Sequence, residues 1–402
     1  MSAVGRAVEV LICIPVLVVG GTELHTLALA QVLRSAGAKT QVCCYYEYSP
    51  AMVSLFEAAG VELTLLHMQR AAGLWQLFRT LWRLFRRIRP GAVHVQYIAP
   101  GLIPVVAAKA AGIRTVFATV HQLGDAYGSR ERLLFSVAAR LCTAFFCVSQ
   151  AVERSWFGNS AVFSIASATS GRRHFTIYNG VDVVRAEHAS TIAAAEELRR
   201  RLGIAGRHVI GIVARLRAEK GHASLLKALP RVLKRVPDLV LLVVGDGPDR
   251  EVLMEHGRAL GVNSHIVWVG ERSPEETLAF YEVMDVVAVP SQFEGFGLSV
   301  AEAMAAGRPV VGMRVGGLAE IIEDGVTGYL VAPDDSAAFA AALIRVLRDP
   351  QEAAIMGARG RKRVSKQFSS ERFAESFVEA YRHFMKDGAL SGGTAGRLPL
   401  VP

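Results

Sequence analysis

The sequence predicts an α/β protein built as two doubly wound parallel-sheet domains, and three observations lead there. Its 402 residues exceed what one hydrophobic core usually serves, which makes two domains the default. Short β-prone runs alternate with helical patterns through both halves, the mark of a parallel sheet with helices on both faces. Hydrophobic residues make up 51% of the chain and charged ones 20%, a balance that excludes disorder and suits a well-buried core. The net charge of +9 suits anionic partners such as nucleotide diphosphates, phospholipid surfaces or nucleic acid, without choosing among them. Cys13, Cys43, Cys44, Cys142 and Cys147 lie in apolar, strand-like runs without metal-ligand spacing. They read as reduced, buried and structural in a cytosolic protein.

The first strand is expected over residues 8–14. The apolar run after Arg6 could pass for a signal peptide, but Glu9 interrupts it and no small-residue cleavage site follows. No segment reaches ~18 uninterrupted apolar residues, so no membrane-spanning helix is expected. Gly20 and Gly21 then precede a helix over residues 22–35, capped by Thr22, with Glu23 in its first turn and Leu24, Leu27, Ala28 and Leu33 on one face. Further strands are expected at residues 40–46, 61–66, 92–96, 115–120 and 144–148. Between them, residues 74–88 (LWQLFRTLWRLFRRI) set leucines, tryptophans and phenylalanines at helical spacing against Arg79, Arg83, Arg86 and Arg87. Two readings stand: a helix lying in an anionic membrane interface, or a domain helix whose aromatic face is core and whose arginines are solvated. His94 and His121 follow strand ends, where the ligand crevice of an open α/β sheet lies; each is either a ligand contact or a hydrogen-bonded structural histidine. Residues 160–173 read as a surface loop, and Asn179-Gly180 as a turn.

The second half opens with a strand at residues 208–213, followed by Arg215 and Lys220. Two cations on a strand-end loop can clamp a diphosphate, arginine as a planar fork of donors and lysine as a point charge. A strand at 239–244 runs into Gly245-Asp246-Gly247, only a fragment of a dinucleotide fingerprint. After a strand at 266–269 and a helix led in by Ser273-Pro274, the strand 286–289 meets PSQFEGFGLSVAEAMAAGRP, residues 290–309. Gly295 and Gly297 there precede a small-residue helix over 298–306, so free amides around Phe296, Gly297 and Leu298 and the positive end of the helix dipole form an anion site. Glu294 and Glu302 flank it, about one helical turn of ~5.4 Å separating Glu302 from the helix start. The chemistry is that of a phosphorylated ligand on backbone amides with carboxylates on hydroxyls at either end; a nucleotide sugar fits. A strand at 309–313, Gly316, Gly317 and Glu320, helices from Ser336 and Gln351, and a final helix over 370–385 complete the chain, with 387–402 as a disordered tail.

Glu294 and Glu302 in EGFGLSVAEAMAAGRPVV resemble the E-x7-E signature of the retaining glycosyltransferases of family 4 (glycosyl transferases group 1), which have the GT-B fold. GGTE at Gly20 to Glu23, the V-S turn at Val148-Ser149, NGVD at Asn179 to Asp182, Arg215 and Lys220 of ARLRAEKG, GDGP at Gly245 to Pro248, and Gly316, Gly317 and Glu320 resemble further motifs of the family. The chain departs from it at Ala214, which replaces a glycine, at Gln96, which replaces the second histidine of H-x-H, and at Gln122, which replaces the aspartate of T-x-H-D. The resemblance implies two Rossmann-like domains facing a central cleft: an acceptor-binding domain at 1–182 completed by a helix at about 370–386, and a nucleotide-sugar-binding domain at 208–369, with the charged, alanine-rich stretch between them, 183–207, expected as a linker with a short helix.

The resemblance also implies an activity: transfer of a sugar, with retained configuration, from a UDP- or GDP-sugar, UDP favoured, to a glycan, lipid-linked or small-molecule acceptor. Glu294 would grip the donor sugar, Glu302 the ribose, and Gly20, Gly21, Gly245, Gly247, Phe296, Gly297 and Leu298 would line the donor. Arg215 and Lys220 would carry the charge of the leaving diphosphate, and His121 would assist at the acceptor. The chain has no D-x-D, and no metal or other cofactor is implied. The expected place is the cytoplasm, or the inner face of the membrane if residues 74–88 bind lipid; nucleic acid is not among the expected partners. Three rivals fit less well: a UDP-sugar 2-epimerase of the same fold usually lacks the Glu–x7–Glu loop, an NAD-dependent dehydrogenase needs a full G-x-G-x-x-G after its first strand, and a non-catalytic relative would have lost Glu294, Arg215 or Lys220.

Overall fold

The computed structural model describes residues 9–96, 101–188 and 192–385. The expected tail at 387–402 and residue 8 of the expected first strand lie outside them. The chain divides into two compact units: Met1–Gly180 together with Ser370–Pro402, and Val181–Ser369.

The first unit holds a sheet of β1 (Glu9–Ile14), β2 (Lys39–Cys44), β3 (Glu62–Leu65), β4 (Ala92–Gln96), β5 (Thr115–Val120), β6 (Ala144–Cys147) and β7 (His174–Thr176), ordered 3-2-1-4-5-6-7. The second holds β8 (His208–Val213), β9 (Leu239–Val244), β10 (Ile266–Gly270), β11 (Val286–Val289), β12 (Val310–Met313) and β13 (Gly328–Val331), ordered 10-9-8-11-12-13. Every pairing is parallel. Both sheets follow the Rossmann order, in which the strand sequence reverses between the first and fourth strands and ligands bind outside the strand carboxyl ends. Runs such as Leu-Val-Leu-Leu-Val-Val in β9 are buried throughout, because helices cover both faces of a parallel sheet.

Several expectations are corrected. The helix after β1 begins at Gly21, and its N-cap is Gly20 with no side-chain cap, so Thr22 sits inside the first turn. That helix is also buried on more than one stripe, through His25, Thr26, Leu29 and Ala30, because the Ser370–Phe384 helix packs on it as well as the sheet. Residues 160–173 are not all loop: Ser164 caps a short helix, Ile165–Thr169. Asn179-Gly180 forms no turn. The stretch expected as a linker with one short helix carries two, Val183–His188 and Ile192–Arg201. β13 was not expected at all, since Gly-Tyr-Leu-Val is too short to stand out as a strand by its pattern.

The amphipathic stretch forms the helix Gly73–Ile88, with Leu77, Leu81, Leu84 and Phe85 buried. Its outer face keeps Leu74 55% and Trp75 70% exposed, Trp75 stacking on Phe78 beside exposed Arg79, Arg83, Arg86 and Arg87. Among the described residues no helix is long and apolar enough to cross a membrane.

Candidate active site

In the second unit, two loops meet where the strand order reverses, one after β8 and one after β11. Gly221 has φ 73°, and a Cβ there would sit 1.9 Å from Pro290 O, so only glycine allows the two backbones to touch. The Gln292 N–H donates to Glu219 O at 2.9 Å. This contact brings Lys220 and Glu294 together, Nζ donating to Oε2 at 2.7 Å, with side chains 26% and 15% exposed. Arg215, on the same loop, is exposed, and its guanidinium has no partner among the described residues. The site thus offers one neutralised pair and one free cation, a combination that receives an anion without first breaking a bond.

Gly245 and Gly247 do not act through a fingerprint turn. Gly245 has φ 130°, and Cβ atoms at the two positions would lie 2.1 Å from Ala214 O and 2.4 Å from Leu216 O. The loop after β9 therefore lies directly on the backbone that presents Arg215, fixed by Ala214 N–H to Val244 O and Leu216 N–H to Asp246 O, 3.1 and 3.0 Å.

Gly297 has φ 104° and caps the helix Leu298–Ala305. The first intrahelical bonds run from Val300 and Ala301 to Gly297 O, so the amides of Leu298 and Ser299 precede them at the positive end of the dipole. Phe296 is only 3% exposed, and its ring packs edge-on against Phe368. Gly317 lies on the backbone of Gly295 and Phe296 and donates its N–H to Glu294 O at 3.0 Å, so the second glycine loop supports the first. Glu302 is half-buried, and burial pushes its carboxyl above the usual range, countered by a hydrogen bond from Tyr281. Tyr281 Oη donates to Glu302 Oε2 at 2.8 Å. Two residues here had no signal in the sequence: Tyr281, wholly buried, and His222, 4% exposed with neither ring nitrogen partnered and lowered to about 4 by burial and the Lys220 charge.

In the first unit, the helix after β1 and the ends of β4 and β5 gather three histidines. His121 is half-buried and its Nε2 meets Gln96 Oε1 at 2.9 Å, so the glutamine at the departure from H-x-H holds the ring. His25, missed by sequence reading, sets its ring edge-on to His121, centroids 4.7 Å apart, and its Nδ1 donates to Asn179 Oδ1 at 2.8 Å. Burial lowers His25 to about 4 against the Asn179 bond, and burial, His25 and His94 hold His121 well below the usual range. His121 is thereby a neutral hydrogen-bonding group and a weak proton acceptor. His94 is a structural histidine: wholly buried, with both nitrogens engaged by Tyr381 Oη and Thr119 Oγ1 at 2.6 and 2.7 Å. At Gly20, a Cβ would meet Glu23 Oε2 at 2.6 Å, so the glycine makes room for the Glu23 carboxylate, while Gly21 is exposed.

Two Rossmann units of this order, the second with paired Lys220 and Glu294 below a helix start, define a GT-B glycosyltransferase architecture. Residues 194–363 match the family model "Glycosyl transferases group 1" and residues 19–185 match "Glycosyltransferase Family 4". The chain belongs to the group 1, family 4 glycosyltransferases. It is similar to the GDP-mannose-dependent alpha-(1-6)-phosphatidylinositol monomannoside mannosyltransferase of Mycolicibacterium smegmatis, 39% identical over 189 residues, covering 45% of this chain and 49% of that protein. The D-inositol 3-phosphate glycosyltransferase of Corynebacterium urealyticum is 38% identical over 200 residues, 48% of this chain and 47% of that protein. The chain spans about half the length of the curated relatives it matches. Among solved structures, Anabaena HepE in complex with UDP and glucose has a TM-score of 0.81 at 22% identity, covering 94% of this chain and 100% of that one, a likeness of fold.

Proposed function

We infer that this protein is a retaining glycosyltransferase that moves a sugar from a UDP- or GDP-linked donor to a hydroxyl of a glycan, lipid-linked or small-molecule acceptor. The observation that carries the reading is the Lys220–Glu294 pair seated beside free Arg215 and the Gly297 helix start. Arg215, the remaining N–H groups of Lys220 and the amides of Leu298 and Ser299 stabilise the departing diphosphate, so the reading assigns its charge to protein donors rather than to a metal. Glu294, neutralised by an ammonium at 2.7 Å, is a poor nucleophile and a good acceptor for sugar hydroxyls. The bond from the anomeric carbon to the phosphate oxygen breaks as the acceptor oxygen bonds that carbon on the same face, and the acceptor proton passes to the departing phosphate. His121, neutral and held by Gln96, orients the acceptor by hydrogen bonding.

Both bases stay open, since one relative is named as GDP-mannose-dependent and a fold neighbour is solved in complex with UDP. A thermal-shift screen against UDP, GDP and their sugar conjugates, with EDTA present, separates them; a ligand at 100 times its Kd adds about 2.7 kcal/mol. Stabilisation by neither nucleotide, or undiminished transfer by Glu294→Ala, Arg215→Ala and Lys220→Ala, overturns the reading. The exposed Trp75 and Leu74 among arginines support a seat on anionic lipid, and the buried free cysteines suit the reducing cytoplasmic side.

A further inference from the structure

The geometry points to Tyr281 as a positioning residue that holds the Glu302 carboxylate in the orientation and charge state needed to grip the ribose of the donor. The inference rests on the reading of Glu302 given above and goes beyond it, to a residue that touches no substrate.

Tyr281 ends the helix Pro274–Tyr281, which is started by a capping box: Ser273 accepts from the Glu276 amide, and the Glu276 side chain accepts from the Ser273 amide. Its phenol is 0% exposed, and burial and the carboxylate together raise its pKa well above the usual phenol range. The hydroxyl is therefore always a donor, and Glu302 Oε2, 2.8 Å away, is its acceptor. The phenol is carried on a buried, rigid ring, so the bond holds Oε2 in place. Glu302 sits on the second turn of the Leu298–Ala305 helix, where a glutamate free to rotate would lose side-chain entropy on every binding event. Here that freedom is already spent in folding.

Charge is the second effect. Burial alone favours the protonated carboxyl, and the Tyr281 hydrogen bond opposes it. The ionised carboxylate is an acceptor at both oxygens, whereas the protonated form turns one of them into a donor. Of the charged groups on elements packed against this helix, Arg185 pairs with Glu275, Arg308 with Glu282, and Arg361 donates Nε–H to Ala305 O.

The test measures binding of UDP and GDP, and of their 2′- and 3′-deoxy analogues, by calorimetry between pH 5 and 8 with wild type, Tyr281→Phe and Glu302→Gln. Wild type should bind the ribonucleotide well above its deoxy analogues. Tyr281→Phe should bind it about tenfold more weakly, as expected when a charge-assisted hydrogen bond is lost, with no further loss on the deoxy analogues. Its acid limb should begin at higher pH, because Glu302 without the phenol keeps its proton longer. In turnover, KM for the donor should rise with kcat little changed. Glu302→Gln should lose both the ribose discrimination and the acid limb, a prediction independent of how Tyr281→Phe folds. Should wild type bind deoxy analogues equally well, Glu302 holds no ribose and the underlying reading fails with the inference. Should wild type discriminate while Tyr281→Phe keeps the same affinity and acid limb, the inference alone falls.

Discussion

Arg215 and Lys220 carry the same formal charge on one loop, yet the structure separates what their loss should do. Lys220 is tied to Glu294 at 2.7 Å in a pair whose side chains are 26% and 15% exposed, between the surface regime, where a pair contributes about 0–1 kcal/mol, and the buried one, where breaking it costs about 3–5. Lys220→Met keeps the stem and removes the charge, leaving Glu294 unpaired, and should cost the second unit about 1–3 kcal/mol. A domain of about 150–250 residues shifts its melting midpoint by roughly 2–4 °C per kcal/mol, so the transition should fall by several degrees. Arg215 is exposed and its guanidinium has no partner among the described residues, so Arg215→Ala should leave the midpoint where it is. Both should lower kcat by ~100- to 1,000-fold, the usual effect of deleting a preorganised donor from a transition-state site. Calorimetric melting and steady-state transfer with the donor found by thermal shift read the two quantities apart. Glu294→Gln in the Lys220→Met background should restore part of the lost stability and none of the activity. An unchanged midpoint in Lys220→Met, or near wild-type turnover in Arg215→Ala, would refute the separation.

Gly245→Ala should destabilise the second unit by about 1–3 kcal/mol, the range for overpacking a filled site, and weaken nucleotide binding, since its Cβ would lie 2.1 Å from Ala214 O and push the Arg215 loop away; denaturant melts with and without nucleotide check this. His25 should make the first unit acid-sensitive. Its folded pKa is depressed to about 4 from 6.5, so the unfolded chain binds the proton more readily and stability falls as pH drops from about 6.5 towards 4, His25's own share being roughly 3 kcal/mol; His94 and His121 are lowered as well, so His25→Gln should make that slope shallower without abolishing it in melts across the range. Arg79→Glu with Arg83→Glu should release the protein from anionic vesicles, and Trp75→Ser should weaken that binding with the charges intact; co-sedimentation unchanged by either, or absent in the wild type, removes the membrane reading.

The loops of the second unit were legible because they are local. Gly295, Gly297 and the helix start lie within a few residues of one another, and positive φ at Gly297 is a property of its own backbone. The first unit was less legible, because its polar residues are defined by partners far along the chain. Asn179 reads as a turn residue and instead holds His25, 154 positions away. His94 reads like His121 at a strand end, but its environment is made by Tyr381, 287 positions on.

By itself the sequence determined the two-fold repetition of strand and helix, the anion-ready loop at Gly297, and the residue types able to hold a phosphorylated sugar, because periodicity, glycine and charge act over one or two turns of chain. Only the tertiary structure decided which of those residues meet. It paired Lys220 with Glu294, left Arg215 free, set Tyr281 behind Glu302, and brought the Ser370–Phe384 helix back to bury His25 and His94. The reason is physical: local pattern selects an element, whereas hydrogen-bond partners, desolvation and hence charge state are set by whatever surface the fold lays against it.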